Sequence, residues 1–164
     1  MASERIPSLV PQPARLLLVP ATLALLIGTG CGDDQQPEQA RALYRELQSL
    51  EYRTWQRAPG YETRRGSNAP HGDDVDIYIN DVVADALDNG VPDGEWPLGS
   101  LIVKDGFDGS DLELVAVMDK REDGWFWAEY DDEGDSIYSG KPDLCIDCHR
   151  GGDDFVRAFG FPEP

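Results

Sequence analysis

The sequence predicts an α+β fold that is mainly antiparallel β, a curved sheet with one N-terminal helix before it, a short helix inserted in it and a helical segment at the C-terminus. Three observations lead there. Residues 37–50 repeat apolar side chains at helical spacing, residues 76–130 break into short runs with a period of two, and Gly, Asp and Asn punctuate those runs.

The first element, residues 37–50 (PEQARALYRELQSL), sets Ala40, Leu43, Tyr44, Leu47 and Leu50 along one helical face. Four strands follow at residues 76–80, 100–104, 112–118 and 125–130. Their β-branched and aromatic residues suit a pleated, half-buried surface. Residues 81–88 (DVVADALD) form a short helix between the first two strands, ended by Asn89-Gly90. Asp105-Gly106, Asp108-Gly109, Asp123-Gly124 and Glu133-Gly134 read as turns. A four-helix bundle cannot be built from this pattern.

The 164-residue chain sets 14 Lys and Arg against 32 Asp and Glu, a formal charge of −18. It offers no electrostatic footprint for a phosphate backbone, so nucleic acid is excluded as a partner. Four Trp, six Tyr and five Phe, together with the strand pattern, argue for a folded domain and against disorder. The acidic field would keep the protein off anionic surfaces and could steer a basic electron-transfer cytochrome towards it. The cluster Asp131-Asp132-Glu133-Gly134-Asp135 lacks the alternating ligands of a calcium loop and reads as a solvated turn.

Residues 1–30 read as an export signal: Arg5 and Arg15 flank an apolar run, 16–27, too short to span a bilayer comfortably. The run ends in Gly28-Thr29-Gly30-Cys31, which resembles a bacterial lipoprotein processing site. The expected organisation is a signal peptide at 1–30, a lipidated Cys31 opening a tether at 31–36, and one domain at 37–164. That places the domain on the periplasmic side of a bacterial membrane. Gly32, where an Asp would signal retention, favours the outer membrane.

With Cys31 assigned to lipid, Cys145 and Cys148 are the remaining two of three cysteines. They lie in Cys145-Ile146-Asp147-Cys148-His149, the CxxCH pattern of c-type haem attachment. Two thiols one helical turn apart can add to the two vinyl groups of a single haem, and the adjacent imidazole then lies under the iron. A disulfide or a redox dithiol needs no His at that position. The segment from Arg150 onwards contains no Met, His or Lys, so a cytochrome with its second ligand well downstream is excluded. The expected cofactor is one covalent haem c, with Cys145 and Cys148 as its attachment points and His149 as the iron's axial ligand.

Several stretches resemble the cytochrome P-460 family, which includes the β-sheet cytochromes called c′-beta. The resemblance runs from about residue 52 to 159. It is carried by Tyr52-x-x-Trp55, His71-Gly72 before Ile77-Tyr78-Ile79-Asn80, Trp96-Pro97-x-Gly99-Ser100-Leu101-Ile102-Val103-Lys104, Met118-x-Lys120-Arg121, Gly124-Trp125 and the terminal CxxCH. It implies a five-coordinate haem in a mainly β domain, commonly a homodimer, with an open iron position for a small nitrogen-containing or diatomic ligand. In the hydroxylamine-oxidising members the lysine matching Lys104 is joined to a haem meso carbon, and that bond tunes the cofactor. The c′-beta members lack the bond and bind nitric oxide or carbon monoxide.

On pattern alone, Lys104 reads as a solvated lysine at a strand end, and only the resemblance brings it to the haem. Phe107, just beyond it, is a candidate to cap the distal face. Trp125, Trp127 and Glu129 share one strand face by period two. They either line a haem pocket in which Glu129 moves protons, or mark a strand leaving the core. His71 reads as structural or surface rather than a sixth ligand, and Met118 as core filling. Three functions stay open: hydroxylamine oxidation, gas binding without turnover, and electron carriage. The anchor makes the first prediction: the intact mass of the mature protein should show an N-terminus at Cys31 with a diacylglyceryl-sized addition. A soluble mature form with unmodified Cys31 would contradict it.

Overall fold

Apolar side chains on both sides of the longer strands require cover on both faces of one sheet. The computed structural model describes residues 35–91 and 93–162. The expected signal at 1–30 and Cys31 lie outside the described residues. Helix α1 (Pro37–Ser49) starts with Pro at its first turn, where the missing N–H costs nothing, and buries Ala40, Leu43 and Leu47. Glu51, at φ 49°, ends it and leads to a single 3₁₀ turn, Tyr52–Thr54, so Leu50 is exposed and not on the buried face. Gln35 and Gln36, expected in the tether, are bonded instead to Ser139: Gln36 N donates to Ser139 Oγ at 2.9 Å and Gln35 Oε1 accepts from Ser139 N at 3.2 Å.

The strands are β1 (Gln56–Arg57), β2 (Arg65–Gly66), β3 (Asp74–Ile79), β4 (Leu101–Asp108), β5 (Asp111–Arg121), β6 (Gly124–Asp131) and β7 (Ser136–Gly140). They pair antiparallel as one sheet in the order β1-β3-β4-β5-β6-β7, with β2 also on β3. This is the α+β, mainly antiparallel architecture that the patterning predicts. Helix α2 (Asp81–Asn89) is inserted between β3 and β4, where Asn80 Oδ1 caps it by accepting from Val83 N at 3.2 Å. The same oxygen accepts from Leu101 N at 3.1 Å, so the cap also ties the helix to β4. Helix α3 (Asp143–His149) carries the CxxCH string. Among the described residues no helix is long and apolar enough to cross a membrane.

One sheet face is covered by α1 and the 3₁₀ turn, with Leu43, Leu47 and Tyr52 against Tyr78, Val103, Val115, Val117, Phe126 and Tyr130. The other carries Ile77, Ile79, Ile102, Met118, Trp125 and Trp127, packed with Val83 of α2, Trp96, Val156 and Phe159. Two expectations need correction. Strands β1, β2 and β7 are additional to the four predicted, because runs of two to five residues show too little alternation. Asp105-Gly106 is not a turn but the interior of β4. Asp105 stays in the strand because its carboxylate is buried against the Tyr52 hydroxyl (2.7 Å) and Arg53 Nε (2.6 Å).

Gly106 is required there for a steric reason: a Cβ would stand 2.1 Å from the His71 carbonyl oxygen. The missing side chain lets the segment carrying His71 cross directly over β4. Gly106→Ala should therefore lower the unfolding free energy by about 1–3 kcal/mol, the usual cost of overpacking. Urea denaturation should show a reduced midpoint, and an unchanged midpoint would contradict the close crossing.

Candidate active site

Alternation along β4 puts Ile102 and Lys104 on the face opposite Val103 and Asp105. That face, with Ala116 and Met118 of β5 and Trp127 and Glu129 of β6, floors a cavity of about 790 Å³. The walls are residues 65–71 on one side, α3 on another, and residues 156–158. The volume falls in the range of small-molecule and cofactor sites. Leu144, Cys145, Cys148 and His149 all face it from α3.

His149 is held from two sides. Its Nδ1 lies 2.9 Å from the Phe155 carbonyl oxygen. A carbonyl can only accept, so Nδ1 carries the proton and Nε2 presents its lone pair. The Trp127 ring meets the imidazole edge-on, with centroids 4.7 Å apart. Burial, then the nearby charges of Lys104, His71 and Arg157, keep the His149 pKa below the ordinary value, against the Phe155 bond that opposes them. The imidazole is therefore neutral at neutral pH, the form a metal binds.

Lys104 is partly buried in this cavity, and no hydrogen bond or close ion pair engages its amine among the described residues. Burial pushes its pKa down, with Arg157 in the same direction, while Cys148 and Glu129 pull it back up. Lys104 is thus not the solvated strand-end lysine that pattern alone suggested. Glu129 also lines the cavity, and its Oε2 accepts from His71 Nδ1 at 2.9 Å. The His71 and His149 ring centroids are 6.3 Å apart, so His71 belongs to the site rather than to the surface. Met118 serves both as core and as floor.

Phe107 is corrected: it does not line the cavity. Alternation along β4 places it with Val103 and Asp105 on the opposite face, where the Arg64 guanidinium sits 3.2 Å from the ring centre. Trp125 is likewise displaced from the cavity, packed in the core with its Nε1 donating to Asp154 O at 2.8 Å. Reading the sequence missed Arg65 and Arg157, which stand at the rim. Arg157 Nη1 donates to Cys148 O at 2.8 Å, tying the C-terminal segment to α3. Arg65 belongs to the two-residue β2 and Arg157 to an irregular segment, both too short of periodicity to be placed.

The donor set fits a c-type haem. Two thiols a helical turn apart stand on one lip, a neutral imidazole offers Nε2 beside them, and Ile77, Ile102, Met118 and Trp127 supply apolar wall. Among the described residues no three His, Cys, Asp or Glu side chains gather as a protein-only metal site would need.

The buried amine gives a signed prediction for the chain without cofactor. The folded pKa of Lys104 lies below its unfolded value, so at neutral pH the native state bears the cost of a buried charge or of deprotonation. That cost shrinks as pH rises from the folded pKa towards the model-peptide value of 10.5. Lys104→Met should raise the unfolding midpoint at pH 7, with a gain that fades towards pH 10. An equal midpoint at pH 7 would place the amine in solvent. No family model matches the chain and no curated protein matches it.

Proposed function

We propose that the protein is an exported monohaem c-type cytochrome that oxidises hydroxylamine or a related small nitrogen species at an open iron position. The observation that carries this is His149: the imidazole at the end of the CxxCH helix faces the cavity with Nδ1 engaged by Phe155 O. Cys145 and Cys148 would hold the haem through thioethers, and His149 Nε2 would ligate its iron. Bound there, haem supplies a vacant coordination position and reversible one-electron chemistry.

The chain's own residues supply the rest. Ile77, Ile102, Met118 and Trp127 exclude water from the cavity and leave room for a small ligand. Hydroxylamine oxidation releases protons, and Glu129 is placed to take one: Oε2 is oriented by His71, leaving Oε1 as the accepting atom. Lys104 presents an amine with weakened basicity to the same space. Its Nζ would be a further point at which the chain holds the haem, at the ring edge. The charge of −18 fits an electron acceptor with a basic docking face, such as a small cytochrome.

The apolar wall also suits a neutral diatomic, and binding of nitric oxide or carbon monoxide without turnover is the second reading. Haem staining of denaturing gels tests the attachment. Stain should persist in wild type and vanish in Cys145→Ala with Cys148→Ala; stain that washes away from wild type defeats the proposal. Hydroxylamine-dependent reduction of an artificial acceptor tests turnover. Glu129→Gln should slow it about 100-fold, the scale of one general base. Lys104→Ala should abolish it while keeping the stain. Haem without turnover in wild type leaves the gas-binding reading.

A further inference from the structure

The carbonyl that orients His149 belongs to an unusual turn. Asp154 and Phe155 are consecutive non-glycine residues with φ of 43° and 68°, a left-handed conformation that L side chains resist. A segment adopts it only when its surroundings over-determine it. Here they do. Asp154 Oδ2 accepts from Lys120 Nζ at 2.7 Å and from Trp96 N at 2.9 Å. Asp154 O accepts from Trp125 Nε1 at 2.8 Å, and Asp153 O from Trp96 Nε1 at 3.1 Å. The Lys120 and Asp154 side chains are only 7% and 8% exposed.

We propose that Lys120, Asp154 and Trp125 are positioning residues for His149: they hold the left-handed turn so that Phe155 O fixes the tautomer and direction of the imidazole. The inference rests on His149 being the iron's ligand. A buried ion pair is a poor way to add stability, since apolar side chains of similar size commonly serve as well. It is a good way to fix one backbone geometry: if the turn relaxes, Asp154 and both indole N–H groups lose their partners, and Lys120 keeps only the exposed Glu95 carboxylate, at 3.5 Å. The bonds converge on Asp153 and Asp154, and the next carbonyl along is the one that His149 meets. A carbonyl held on Nδ1–H raises the basicity of Nε2 and fixes the ring plane, as outer partners of metal-bound imidazoles do.

The test uses two variants that keep the core filled. Trp125→Phe deletes one donor and retains the aromatic ring. Lys120→Met combined with Asp154→Asn removes both charges together. Lys120→Arg keeps the charge and should behave as wild type. The first readout is the iron–histidine stretching band of the reduced, haem-loaded protein, and the second is the His149 tautomer by ¹⁵N NMR of the full chain produced without haem. Both variants should keep their haem and their circular dichroism, while the stretching band moves to lower frequency and the Nε2–H tautomer gains at the expense of Nδ1–H. Three results would overturn the inference: unchanged band and tautomer in folded variants, a wild-type His149 already protonated on Nε2, or unfolding of both variants, which would make the network a structural staple only. If the wild-type chain carries no haem, the proposed function fails by itself, and the tautomer measurement still decides whether the lock positions His149.

Discussion

Strand β4 places a buried carboxylate and a cavity-facing amine on successive residues, and much of the molecule is arranged to satisfy both. Asp105 points to the α1 side, where Tyr52 and Arg53 meet it. Directly across the β3–β4 ladder stands Asp76, a second buried carboxylate. Two like charges in register repel. Burial does act on Asp76, yet Arg57 and Arg64 outweigh it and hold the carboxyl below its ordinary value. The arginines come from the chain just after α1, so neutralising the pair also fastens that segment to the sheet. A one-residue slip of β4 would exchange the two faces, sending Lys104 into the core and Asp105 into the cavity.

With that register set, the cavity acquires an unusual electrostatic character for so acidic a chain. Arg65, Lys104 and Arg157 line or rim it, against one carboxylate, Glu129, that is already paired with His71. Burial keeps the imidazole of His149 neutral and weakens the basicity of the Lys104 amine. His149 thereby offers Nε2 as a nitrogen donor, while the Lys104 amine holds its proton less tightly than a solvated lysine. The surface field and the site therefore do different work: the acidic exterior acts on partners at a distance, whereas the interior offers the His149 Nε2 lone pair at short range.

Elements whose information is local could be read directly from the chain. The amphipathic spacing of α1, the period-two runs of β3 to β6 and the Asn80-capped α2 all have sequence signatures, and alternation along β4 gave the shared face of Ile102 and Lys104. Features that depend on distant partners could not. Asp105-Gly106 has the composition of a turn, and only the approach of Tyr52, Arg53 and the His71 carbonyl keeps it extended. The same holds for His71 meeting Glu129 across 58 residues, and for Asp154 meeting Lys120 across 34. The site is half legible for this reason: its floor and its CxxCH lip are periodic elements, and its remaining walls are loops fixed by tertiary contacts.

The proposed function requires a single imidazole ligating a haem iron whose opposite side is open. Electron paramagnetic resonance of the ferric protein as purified tests that most directly. An axial high-spin haem signal, lost in Cys145→Ala with Cys148→Ala, is the predicted result. A low-spin signal from an iron bound on both sides, or the absence of any haem-iron signal, would contradict it.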